Sequence, residues 1–310
     1  MPNLPWILVE DYKSPGGWVR PEEHDARARA YCEMLESGQI LFFRELPFHL
    51  PQDDRAFLLA QEWSELRLHK NVSYRPSEDL LRGVSGDAQT IGRLHSIFRN
   101  YSSQVIEFLG TFLRPYAGRW VLDFSSFRPI EEDGRDLPLH KRNDLLHVDA
   151  FPSRPTRGGR ILRVFTNLNP SKPRVWHTTE NFESLARRYA NAAGLRQIAE
   201  DDSFVGRTVQ SLGSKLGFRG MGRTPYDMFM LRFHDYLKEN SDFQATCPKV
   251  RLEFPPLSTW IVFTDSVAHA VMSGQYAIEQ TLLIPAQSLV APQHAPYRIL
   301  EGIAGQALIP

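Results

Sequence analysis

The sequence predicts a mainly β fold with helical additions, an α+β jelly roll, and three observations carry that prediction. Five short β-rich runs crowd into residues 119–284 with turn residues between them. Helical periodicity is confined to the first 115 residues and to one interval between the third and fourth runs. Helices therefore flank or interrupt the strands without alternating with them, an order that a jelly roll with helical decoration fits better than a doubly wound parallel sheet does.

In chain order, the first 115 residues read mainly as helices, with one short strand at residues 38–46 (GQILFFREL), rich in apolar and aromatic residues. From residue 88 to 112, Ile91, Leu94, Phe98, Tyr101, Val105, Phe108 and Phe112 recur every three or four positions, which gives a helix one apolar face. Asp87 stands where that helix needs a cap for its first amides. After Pro115 come the β runs: residues 119–127 (RWVLDFSSF), 145–151 (LLHVDAF), 160–169 (RILRVFTNLN), 258–265 (STWIVFTD) and 276–284 (YAIEQTLLI). In the helical interval, Thr224 as cap, Pro225 at the first position and Asp227 in the first turn start a helix whose buried stripe is Phe229, Met230, Phe233 and Tyr236. No repeat, low-complexity tract or linker marks a cut. The chain reads as one domain, residues 1–310: a mainly helical part (1–115) packing on a jelly-roll core (116–290), with a helical insertion at about 178–245 and a tail at 291–310.

Composition narrows the function. With 36 Lys+Arg against 36 Asp+Glu the formal charge is zero, which argues against a general nucleic-acid binder while leaving room for a local basic patch. Cys32 and Cys247 are far apart and form no C-x-x-C pattern, so both are expected as reduced thiols, neither a nucleophile. The N-terminus lacks a basic start followed by an apolar stretch, and no window approaches the roughly 20 apolar residues of a membrane span. A cytoplasmic location is the expectation.

The residues that carry chemistry are His147, Asp149 and His269. In a strand, positions i and i+2 share a face, so LLHVDAF places the His147 imidazole beside the Asp149 carboxylate. A third ligand is offered by His269, just after the run at 258–265. Two His and one carboxylate on one side of a metal make the facial triad of non-haem Fe(II) oxygenases, with three positions open for co-substrate and O₂. His24, His49, His95, His234 and His294 read as surface or satisfied core histidines, and His140 as a loop histidine near enough to contact substrate. The strand after the motif, the long interval to His269 and the Gly274, Tyr276, Ala277, Ile278 series are similar in order to the parts of cupin-like Fe(II)/2-oxoglutarate dioxygenases with a double-stranded β-helix core.

That similarity implies a cation for the distal carboxylate of 2-oxoglutarate, ideally an Arg with its planar fork. The place where such enzymes often carry it, just before a Tyr-Ala-Ile strand, is here Gln275. The strand after the motif offers two alternatives on opposite faces: Arg163 with Phe165 and Asn167, and Arg160 with Leu162 and Val164. Arg163, inside an apolar run, is the first choice, because a buried guanidinium needs an anion; an internal Asp or Glu is the competing partner. Arg160, beside Gly158 and Gly159, reads as the exposed start of the strand, and Gln280 as a further inward-pointing candidate.

HKNVSYRP (69–76), residues 147–170, RTPYDMFMLRFHDYLKEN (223–240) and the segment around His269 together resemble the Kdo hydroxylases over roughly residues 35 to 290. By that resemblance, His147, Asp149 and His269 hold Fe(II), with ascorbate a suitable reductant in vitro. The enzyme hydroxylates C3 of a 3-deoxy-D-manno-oct-2-ulosonic acid (Kdo) residue on lipid A to give Ko, converting 2-oxoglutarate and O₂ to succinate and CO₂. Such a polyanionic substrate calls for basic residues at the mouth: Lys141, Arg142, Arg154 and Arg157, then Lys70, Arg75, Arg219 and Arg223. With no amphipathic anchor, contact with the inner membrane would be peripheral, through a basic patch on anionic headgroups. The alternatives are the same chemistry on another carbohydrate or small molecule, and a non-oxidative metal-binding jelly roll, such as a sugar isomerase or binding protein.

Overall fold

The structure is a computed structural model and describes residues 6–13, 17–61, 63, 71–84, 86–201 and 222–310. The elements are β1 (Trp6–Leu8), β2 (Tyr12–Lys13), β3 (Gly17–Trp18), α1 (His24–Glu36), β4 (Ile40–Phe43), α2 (Gln52–Ala60), β5 (Val72–Arg75), β6 (Leu80–Arg82), α3 (Ala88–Phe112), β7 (Val121–Arg128), β8 (Arg160–Asn167) and β9 (Arg174–Asn181). There follow α4 (Phe182–Tyr189), α5 (Leu195–Asp201), α6 (Pro225–Glu239), α7 (Ser241–Thr246), β10 (Val250–Phe254), β11 (Thr259–Phe263), β12 (Val267–Ser273), β13 (Ala277–Ile284) and α8 (Pro296–Ala304). Among the described residues, eight strands form one sheet in the order β1-β4-β11-β8-β13-β7-β5-β6, and β10-β9-β12 form a second. Only β1 and β4 run parallel in the first.

The two sheets face each other across an aromatic core. Phe42, Phe165, Trp260 and Val262 come from the large sheet and Trp176, Phe254 and Val271 from the small one. Trp260 is the centre of this layer, stacked on Phe254 at 3.9 Å and on Phe165 at 5.2 Å between ring centroids. A second core lies between the outer face of the large sheet and α1 and α3; a third joins α4, α6 and α8 beside the small sheet.

Local signals fold as read. Asp87 accepts the Thr90 amide at 2.9 Å at the start of α3, and Thr224 and Asp227 close a capping box on α6. The non-local signals need correction. The run at 145–151 is no strand: apart from an isolated bridge between His147 and His269, its backbone groups go elsewhere, with both polar groups of Leu146 taken by the Gln244 side chain. Leu146 and Val148 bury among the helices instead. The insertion starts later than expected, since residues 174–181 are β9, and the N-terminal part gives β1, β4, β5 and β6 to the large sheet.

Arg160 is corrected too. It is fully buried, with Nε 2.8 Å from Asp265 Oδ2 and its guanidinium 4.3 Å above the Phe263 ring. Removing one partner of a buried pair strands the other charge, so Arg160→Ala should lower stability by about 3–5 kcal/mol in urea unfolding. A loss under about 1 kcal/mol would mean the pair carries no such weight.

Candidate metal centre

His147 and His269 exchange backbone hydrogen bonds of 3.1 and 2.9 Å, which sets two imidazoles side by side although only one of them lies in a strand. A β-bulge in β12 falls between Val267 and His269, where it re-aims the ring. Nδ1 of His147 lies 2.7 Å from the Leu145 carbonyl and Nδ1 of His269 lies 2.9 Å from the Val267 carbonyl. A carbonyl can only accept, so each Nδ1 carries the proton and each Nε2 keeps a free lone pair. Burial, reinforced for His147 by its neighbour His269, holds both pKa values down and keeps the rings neutral. Trp176 stacks on His269 at 4.8 Å and fixes its plane.

Asp149 is anchored by its amide, which donates to the Thr264 carbonyl at 2.8 Å. Its Oδ1 lies 3.6 Å from His147 Nε2 and its Oδ2 3.1 Å from an Arg163 nitrogen. Burial alone would raise the pKa of this carboxyl, but the Arg163 guanidinium outweighs it, aided by the Thr264 hydroxyl, and keeps the group ionised. One donor atom from each of the three residues lies within 4.8 Å of the others. Two neutral imidazoles with free Nε2 atoms and one charged carboxylate suit a divalent metal of the iron series, and the donor set fits Fe(II).

Beside the triad is a cavity of about 320 Å³ lined in part by Arg128, Arg163, Arg174, Trp176, His234 and Lys238. Arg163 does face it, as strand alternation requires, and its competing partners are present: Asp149 and, at 3.1 Å, Glu279. Phe165 also lines the cavity. Asn167 and Gln280 do not. Asn167 is buried, holding the Lys172 and Phe254 carbonyls; Gln280 donates to the Asp123 and Thr281 carbonyls on the strand face that carries Ile278 and Leu282 into the helix-side core. Its neighbour Glu279 points toward the site instead, 3.0 Å from Arg128.

Of the basic residues expected at the mouth, Lys141 and His140 line the cavity, His140 within 2.9 Å of Asp235 and 3.2 Å of Glu239. Arg142 is spent on Asp144. Arg154 pairs with Asp123 and sits in a neighbouring cleft, and Arg157 is exposed. Lys70 and Arg219 lie outside the described residues.

His234, read as an ordinary histidine, packs 4.9 Å from the His147 ring and bonds the Val148 carbonyl at 2.7 Å. Arg128, Arg174 and Glu279 were also missed. Arg128 comes one residue after the run at 119–127, and Arg174 opens the β-rich RVWHTT, so both carried a strand signal but none of burial.

Two imidazoles and a carboxylate gathered beside the interior of a two-sheeted jelly roll match the donor set that mononuclear non-haem Fe(II) oxygenases use. Family comparison agrees: residues 19–307 match the family described as 3-deoxy-D-manno-oct-2-ulosonic acid (Kdo) hydroxylase. Solved structures of the Kdo hydroxylase KdoO, a non-heme Fe(II) α-ketoglutarate-dependent dioxygenase, are similar over 99% of this chain and 98% of theirs. The complex with α-ketoglutarate and Fe(III) has 32% identity and a TM-score of 0.84, the cobalt(II) complex 32% and 0.85, and the complex with succinate and Fe(III) 33% and 0.83. No curated protein sequence matches. The chain belongs to the Kdo hydroxylase family.

Proposed function

We propose that this protein is an Fe(II)- and 2-oxoglutarate-dependent dioxygenase that hydroxylates C3 of a Kdo residue on lipid A, giving Ko, succinate and CO₂. The observation that carries the reading is the convergence of His147 Nε2, His269 Nε2 and the Asp149 carboxylate beside a guanidinium-lined cavity. Iron, when bound by these three, supplies the O₂-driven oxidation of an unactivated C–H bond, which no protein acid or base can accomplish alone. The chain's own residues do the rest. The Leu145 and Val267 carbonyls hold the imidazole tautomers, Trp176 fixes the His269 plane, and Arg163 orients the Asp149 carboxylate.

The distal carboxylate of 2-oxoglutarate requires a cation in the same cavity. Arg163 and Arg174 each keep a buried Nε–H with no acceptor among the described residues. Arg163 already serves two carboxylates, whereas Arg174 has a carbonyl contact to Gly274 at 2.8 Å and, among the described residues, one carboxylate pair, Glu132 at 3.5 Å, with Glu279 acting from further off. Burial accordingly brings the Arg174 pKa down to about 10. Arg174 is thus the under-compensated cation, and we place the carboxylate on it, with Arg163 sharing the site. Gly274 supports this position: at φ +116, with any Cβ only 2.9 Å from the Arg174 Cα, it must remain glycine. Arg174→Gln should raise the KM for 2-oxoglutarate about tenfold or more; an unchanged KM beside a raised one in Arg163→Gln would move the assignment to Arg163.

No described helix is long and apolar enough to cross a membrane. We place the enzyme on the cytoplasmic face of the inner membrane, in peripheral contact with its lipid substrate. The test is mass spectrometry of a Kdo-bearing lipid A precursor incubated aerobically with the protein, Fe(II), ascorbate and 2-oxoglutarate. One oxygen gained on Kdo, matched by succinate and absent in His147→Ala, is the expected result. Consumption of 2-oxoglutarate with unmodified Kdo would leave the chemistry and overturn the substrate.

A further inference from the structure

Next to the metal cavity, and sharing Pro152 with it, is a cleft of about 620 Å³ lined by Arg75, Arg154 and Arg223 with Phe124, Ser153 and Pro155. Among the described residues that line it, none is acidic. Its two principal cations share one aromatic ring. The Arg75 guanidinium lies 4.6 Å and the Arg154 guanidinium 4.2 Å from the Phe124 centroid, and Arg154 also lies 4.4 Å from Phe151.

Stacking holds these planar forks in place at little further entropic cost on binding, a preorganised arrangement of the kind used for phosphate and carboxylate. Two guanidiniums on one ring also repel each other. Each has one carboxylate partner: Arg154 has the buried Asp123 behind it, and Arg75 has the half-exposed Glu78 at 3.0 Å, which Arg82 shares at 3.6 Å. Each retains a buried Nε–H without an acceptor among the described residues. The cleft is thus cationic and aromatic-backed, with no acidic residue among the described ones that line it, and that chemistry suits an oxyanion.

We infer that the Arg75–Phe124–Arg154 cleft, with Arg223 at its edge, is a second substrate subsite. It binds an oxyanion of the Kdo-bearing substrate outside the sugar that is hydroxylated, and so selects polyanionic acceptors. The inference rests on the Kdo substrate proposed above. The shared chemistry is an oxyanion, supplied by a phosphate monoester or by the carboxylate of a neighbouring Kdo.

The experiment is steady-state hydroxylation of three substrates: an acylated disaccharide with its phosphates and two Kdo residues, its dephosphorylated form, and its single-Kdo form. Wild-type protein should show a KM about tenfold lower for the fully charged substrate than for the form lacking the bound oxyanion, with kcat little changed, as one charge-assisted contact implies. Whichever deletion raises KM identifies the oxyanion. Arg75→Gln should abolish the discrimination and Arg75→Lys restore part of it. Arg75 is the primary variant because its partner Glu78 is half exposed, whereas Arg154→Gln strands buried Asp123. If Arg75→Gln and Arg154→Gln both discriminate among the three substrates as wild type does, or if wild type does not discriminate, the subsite is overturned while the hydroxylase reading stands. If wild type hydroxylates none of them, that reading falls and the subsite falls with it.

Discussion

Asp149→Ala should reduce succinate formation more than about 100-fold, beyond the 10–100-fold that loss of an outer-sphere partner usually costs, and should abolish tight Co(II) binding. The argument is one of charge. Of the three donors, only Asp149 brings a negative charge to a dication, since both imidazoles are held neutral by burial. The fold should survive, because Arg163 keeps Glu279 at 3.1 Å when Asp149 is gone. Metal titration, succinate assay and a urea melt on the same preparation check the three parts separately. Full turnover in Asp149→Ala would remove it from the ligand set, and a collapsed melt would make its role structural. Asp149→Asn, which keeps an oxygen but not the charge, should behave much more like the alanine variant than like wild type.

That His147, Asp149 and His269 come together could be read from the sequence although the strand expected to carry the first two does not form. His147 and Asp149 come together because their amides are pinned two residues apart, to the His269 and Thr264 carbonyls, which a pattern of alternate residues captures without a ladder. Strand alternation likewise separated Arg163, facing the site, from Arg160, facing away. Caps and helix stripes were legible for the same reason: α3 and α6 are specified within a few residues of themselves. What the sequence hid depends on distant partners. Alternation cannot say which of Glu279 and Gln280 points inward until β13 is registered against β8, where Glu279 meets Phe165. Nor could Arg174 be recognised as a buried cation before β9 was placed beside β12, or Arg128 before Glu279 was known to face it.

That hidden carboxylate makes the second large effect. Glu279 is buried between Arg128 at 3.0 Å and Arg163 at 3.1 Å, and these arginines keep its pKa low against the opposing effect of burial. Glu279→Gln keeps the shape and one acceptor but removes the charge, leaving two largely buried guanidiniums with one anion fewer. Stability should fall by about 3 kcal/mol, the lower end for a broken buried pair because both arginines retain some solvent contact. The functional consequence has opposite signs for the two ligands. An added net positive charge beside the triad, with Arg163 drawn more fully onto Asp149, should weaken Co(II) or Fe(II) binding by about 10–100-fold, the range for a lost outer-sphere partner. The same charge attracts a dianion, so 2-oxoglutarate affinity at saturating metal should hold or improve. Mere loosening of the fold would weaken both together. A parallel loss of metal and 2-oxoglutarate affinity in Glu279→Gln would therefore show that Glu279 only holds the sheet together, whereas a split places it in control of the potential at the metal.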